Sequence, residues 1–193
     1  MPIENPLDHA RRIYEAATPI LRINGLGGPR WRRNDAKPAK RTGPWLPAQY
    51  EVLNRPVWER SAPSIYFVAG DDHVIRYTGI SRNTVSHRWR ECPAIDAETN
   101  ALRPKRELHH SQCWRHVERE FERGDVKQFE IRCITAVHLM PVLLEIGPPL
   151  SGFAPLKDDP EGVVCAVERW LCNNRSASLV PWNSAMTKKR RDA

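Results

Sequence analysis

The chain has 193 residues, 40% of them hydrophobic and 27% charged, with a formal net charge of +7. That length buries one substantial core, and no apolar run approaches the ~20 residues of a membrane-spanning helix, so no membrane partner is expected. The opening Met1-Pro-Ile-Glu-Asn-Pro puts an acid and two prolines where a secretory signal carries basic and then apolar residues, which predicts a cytoplasmic protein.

Leu7, Ala10, Tyr14 and Ala17 fall at helical spacing over residues 6–17, with Pro19 as a stop. Gly25 to Pro47 is rich in Gly and Pro and reads as an arm or loop. Within it Arg30, Arg32, Arg33, Lys37, Lys40 and Arg41 surround Trp31 and Trp45, a mixture suited to phosphate contact and base stacking. Residues 64–69 and 73–78 are β-rich runs joined by Gly70-Asp71-Asp72, which predicts a hairpin. A short helix beginning near Asn83 is expected over Val85 to Glu91, carrying Arg88. Residues 92–106 read as an insertion, and Glu107 to Arg123 as a longer helix with Gly124 as its stop. Lys127 to Val137 alternates like a half-buried strand, the third of the sheet. Pro141 to Pro160 reads as a second, Pro-rich insertion, and Glu161 to Asn173 as a helix burying Val164, Cys165, Val167 and Leu171, with Glu168 at the edge of that stripe.

The sequence thus predicts an α+β fold, a small three-stranded antiparallel sheet flanked by helices. Residues 1–60 form an N-terminal helix and basic arm, 61–185 the core with its insertions near 92–106 and 141–160, and 186–193 a basic tail. Cys92, Cys113, Cys133, Cys165 and Cys172 are odd in number and contain no CxxC pair, which speaks for free thiols rather than a disulfide framework or zinc ribbon. Cys92, His109, His110, Cys113 and His116 follow no familiar finger spacing.

Chemistry is concentrated in an ordered set: Ser64-Ile65-Tyr66, then Tyr77-Thr78-Gly79, Arg88, Glu168 and Pro181-Trp182-Asn183. Tyrosines at strand ends usually pack in a core, and their meaning here comes from the residues that follow. The set resembles the GIY-YIG nuclease family, with Ser64 standing where the family has Gly and Thr78 where it has Ile. The likeness runs from about Ser64 to Asn183. Arg88, Glu168 and Asn183 occupy the places of the family's arginine, glutamate and asparagine.

The resemblance implies phosphodiester hydrolysis at a Mg²⁺ ion, or another divalent cation such as Mn²⁺, held by Glu168. Arg88 then binds the scissile phosphate, and the hydroxyl of Tyr66 or Tyr77 orients or deprotonates the attacking water. Asn183 holds the phosphate or fixes neighbouring side chains. Relatives carry a histidine one turn after the arginine where this chain has Cys92; His109, His110 or His87 is left to supply that group. With no separate zinc finger or helix-turn-helix, the arm, the two insertions and Arg82 are the expected DNA contacts. The economy is similar to the type II restriction endonucleases of the family, which implies a homodimer cutting both strands of double-stranded DNA at a specific sequence. The rivals are a repair, mobile-element or phage nuclease that nicks structured or loosely specified DNA, and a non-catalytic DNA-binding protein. A PD-(D/E)xK nuclease is disfavoured, since Glu130-Ile131-Arg132 is the nearest match and no Glu-x-Lys occurs.

Overall fold

A computed structural model describes residues 5–27, 48–89 and 113–183. Helix α1 (Pro6–Ala16) starts where the Asn5 side chain accepts the Leu7 N–H at 3.1 Å and Pro6 takes the first turn. Strand β1 (Thr18–Leu26) follows at once, then β2 (Ala48–Val52), the one-turn α2 (Arg55–Trp58), β3 (Ser64–Gly70) and β4 (Ile75–Ser81). Helix α3 (Trp114–Arg123), β5 (Phe129–Thr135), α4 (Ala136–Ile146) and α5 (Pro160–Asn173) complete the order, with a 3-10 stretch at Leu150–Leu156 before α5.

The α+β class stands, but the three-stranded sheet does not. The strands form one five-stranded antiparallel sheet in the order β2-β1-β5-β3-β4. The expected hairpin is β3 and β4, and the strand expected third, β5, lies beside β3. The two added strands come from the part of the chain read as helix stop and arm. Pro19 sits at the irregularity between Pro19 and Leu21 where β1 meets β5, so its missing N–H interrupts the ladder at a step already broken. The bulge between Ile23 and Gly25 similarly lets β1 and β2 pair past the glycine.

Two further expectations change. The segment from Pro141 is not a loop, because α4 runs through Pro141 to Ile146. Pro141 and Val137, the residue whose carbonyl loses its helical partner, are both exposed, so water replaces the bond. After β4 the chain makes only a single 3-10 turn, Val85–His87, before Arg88. Helix α3 ends as expected at Gly124, whose φ of 76° gives the left-handed cap.

Each face of the sheet has its own apolar cluster. On one, α1, α4 and α5 pack Ile13, Leu139, Leu143, Val164 and Val167 against Phe67 and Ile134. On the other, Tyr66, Val68, Phe129 and Ile131 meet Trp89, Trp114 and Val117. Strand β3 therefore has no solvent face, and all seven of its residues are buried, the reason it reads as a continuous apolar run. Among the described residues no helix is long and apolar enough to cross a membrane.

Candidate active site

The register of the hairpin places Tyr66 opposite Gly79 and Val68 opposite Tyr77, so Tyr66 and Tyr77 share the face that carries α3. Their ring centroids are 6.1 Å apart with planes at 38°. Tyr66 is buried and Tyr77 half-buried. The Tyr66 ring leans across β4: a Cβ on Gly79 would lie 2.6 Å from its hydroxyl oxygen, 2.7 Å from Cζ and 3.0 Å from Cε1 of Tyr77. Real Cβ contacts do not come that close, so space for the two rings requires glycine at position 79. Trp89 meets Tyr66 edge-on at 6.1 Å and packs at 5.2 Å against Trp114 of α3, locking the phenol from behind.

Among the described residues β4 ends the sheet, and its outer edge is met by the chain returning from α5. Val180 N–H donates to the Ile75 carbonyl at 2.7 Å and Trp182 N–H to that of Arg76 at 3.0 Å. One step further along, the Asn183 side chain takes the place of a strand. Its Oδ1 accepts the Thr78 N–H at 2.9 Å, and its Nδ2 donates to the Thr78 carbonyl at 2.7 Å. A primary amide offers the same donor and acceptor pair as a peptide group, whereas a carboxylate lacks the donor. Asn183 is buried, so both bonds are dry, and of the two roles expected for it the geometry supplies the fixing of neighbours. Val180, a β-branched residue with φ of 42°, is held in the left-handed region at the start of this segment.

Glu168 is half-buried on α5, the helix that packs on the Phe67 face of the sheet. One turn after it is Cys172, whose thiol is pushed up to about 11 by burial, then by the Glu168 charge, against a hydrogen bond with the Asn183 side chain. Asn183 thus links the end of α5, through Cys172, to Thr78 of β4.

Arg88 is exposed and directly precedes Trp89, so its backbone is held by the residue that backs Tyr66. Arg82 is also exposed and is ion-paired with Glu161 at 3.3 Å, which joins the end of β4 to the start of α5. His87 is exposed. His109, His110 and the arm residues Arg30, Arg32, Arg33, Lys37, Lys40 and Arg41 lie outside the described residues.

A residue passed over as part of an unlikely metal cluster is His116 on α3. Its ring stacks on Trp182 at 5.1 Å with planes at 15°. Burial, then the nearby Arg119 charge, lowers its pKa below the ordinary 6.5, against Glu120. Its position between the buried Trp114 and Val117 was the available signal, since a histidine flanking a helix's inner stripe packs against whatever that stripe covers. A second cluster fixes α3 to the hairpin. The Arg76 guanidinium donates to both carboxylate oxygens of Asp72 at 2.6 Å, lies 3.6 Å from Glu120 and stands over the Phe129 ring.

No family model matches this chain, and neither does any curated protein or solved structure. The two phenols lie together on the face under α3, Glu168 is carried by α5, which packs on the opposite face, and Arg88 is exposed beside Trp89. Among the described residues no three His, Cys, Asp or Glu side chains converge as a metal cage. A lone carboxylate such as that of Glu168 suits a hard cation that keeps most of its water or takes phosphate oxygens.

Proposed function

We propose that this chain is a Mg²⁺-dependent endonuclease of the GIY-YIG type that cuts double-stranded DNA at a specific sequence. The observation that carries the reading is the grip of Asn183 on Thr78, 105 residues away in the chain. The two ends of the motif set share no local reason to meet, yet the ending is built against the strand that bears Tyr77 and Gly79. Such a meeting is expected if the set acts as one site.

The division of labour follows from the chemistry of each group. Arg88 binds the scissile phosphate and offsets the charge that develops on its oxygens. The hydroxyl of Tyr66 or Tyr77 orients the attacking water and, as phenolate, takes its proton. The water oxygen bonds to phosphorus, the bond to the leaving sugar oxygen breaks, and that oxygen gains a proton. A divalent cation held at Glu168 would supply charge neutralisation and a more acidic bound water. Asn183 keeps the tyrosine strand in place and touches no substrate. Two copies, one per strand, match the two-fold symmetry of a palindromic target.

The test is digestion of several unmodified DNAs with and without Mg²⁺, beside Glu168→Ala. Discrete fragments that need the metal, and a Glu168→Ala protein that binds DNA but does not cut, are expected. Smearing or junction-specific nicking would favour a less specific nuclease, and full DNA binding with no cleavage by the wild type would overturn the enzyme reading.

A further inference from the structure

The end of the sheet where β3 begins and β4 finishes carries more positive charge than the motif residues supply. Ser64 pairs with Ser81 there, and the Ala62 N–H donates to the Asn83 carbonyl at 3.3 Å. The segment entering β3 and the segment leaving β4 therefore run side by side. The first carries Arg60, the second Arg82 and Arg88, and all three are exposed. Arg82 is engaged with Glu161. Arg60 and Arg88 have no carboxylate partner among the described residues.

Arg60 is placed by the same packing that places Tyr66. Trp58, two residues earlier, is buried in the cluster that holds Tyr66 and Trp89, and the Arg60 N–H donates to the Val57 carbonyl at 3.3 Å. Its charge reaches the thiol of Cys133. Cys133 is the cross-strand partner of Tyr66 on β5 and lies in the same cluster. Arg60 thus lies exposed just after the buried Trp58, on the segment that runs beside the one bearing Arg88.

We propose that Arg60 is a second phosphate-binding cation of this site, acting beside Arg88 on the phosphodiester backbone of a DNA strand. A strand passing the end of the sheet where β3 begins and β4 finishes presents successive phosphates, and two guanidiniums on adjacent segments can each take one as a forked, charge-assisted pair. The inference rests on the nuclease reading, and the experiment separates the two.

Binding of a labelled DNA duplex is measured by fluorescence anisotropy in EDTA over a range of salt, for wild type, Arg60→Ala, Arg60→Lys and Arg11→Ala. Arg11 is exposed on α1, whose buried residues pack on the other face, and serves as the charge control. Arg60→Ala is expected to weaken binding roughly tenfold at low salt and to reduce the slope of log K against log salt by about one. Arg60→Lys should keep that slope, and Arg11→Ala should match wild type. Wild-type binding with Arg60→Ala indistinguishable from Arg11→Ala would overturn the role of Arg60 and leave the nuclease reading standing. Absence of DNA binding by the wild type would remove both.

Discussion

The two faces of the sheet are filled by different chemistry. Under α1, α4 and α5 the contacts are mainly aliphatic, Leu139, Leu143, Val164 and Val167 closing over Phe67. Under α3 the aliphatic side chains are interleaved with aromatic ones, Trp58, Tyr66, Trp89, Trp114 and Phe129, and the indole N–H groups of Trp89 and Trp114 are buried without a partner among the described residues. An aliphatic layer secures burial at little cost in polar groups. The rings under α3 add fixed orientation and polar tips, so that face is the one that positions the hydroxyls of Tyr66 and Tyr77.

Substitutions at adjacent residues of β3 break that comparison most directly. Phe67→Ala should cost about 3–5 kcal/mol in stability by leaving a cavity, read by denaturant unfolding. Tyr66→Phe keeps the ring and should cost about 1 kcal/mol while lowering cleavage by about 10²-fold or more. Equal stability losses for the two would erase the distinction.

Next in size is the strand edge. Asn183→Leu leaves both polar groups of Thr78 without their partner and should destabilise by about 2–3 kcal/mol. Asn183→Asp should recover little, because the lost donor and a buried charge both oppose it. Stability restored by Asp would mean that Asn183 does not act as a peptide mimic.

Thiol chemistry gives a smaller, kinetic contrast. Burial pushes both Cys133 and Cys172 up to about 11. Both should therefore label far more slowly with an alkylating reagent at pH 8 in the native protein than after unfolding. Fast native labelling of either would show that its face opens.

The smallest effect belongs to His116. Its folded pKa lies below its unfolded one, so protons favour the unfolded chain. The stabilisation from the neutral ring is complete above about pH 6.5 and is lost as pH falls through the lower folded value. Stability measured between pH 7 and 5 should decline, and His116→Phe should flatten that decline.

The hairpin was legible because Gly70-Asp71-Asp72 has one meaning between two β-branched runs. Helix α5 was legible for a similar reason, and the Asp159 side chain caps it by accepting the Gly162 N–H at 2.9 Å. Strand β1 was not, since Pro19 and Gly25 are breakers in most contexts and are tolerated here only because each sits at an irregularity in pairing. Pro141 misled in the same way, being harmless on a solvent-facing turn of α4. Of the site, the residue types were legible and their partners were not. That Asn183 meets Thr78 depends on where α5 ends and on the path back along β4, which is tertiary information. The same holds for Arg60, whose place follows from the packing of Trp58.

The returning segment that ends at Asn183 also bears on how the molecule avoids its own kind. An open outer strand is a template on which another chain can add. Here β4 has that side occupied by backbone from residues 179–182 and by one side chain. Removing the chain after Arg175 would leave a row of unmet groups on β4, and such a protein is expected to self-associate into β-rich aggregates, as light scattering and thioflavin fluorescence would report. Ending instead just after Asn183 keeps the cover. The same few residues that complete the tyrosine strand therefore also act as a guard against misassembly.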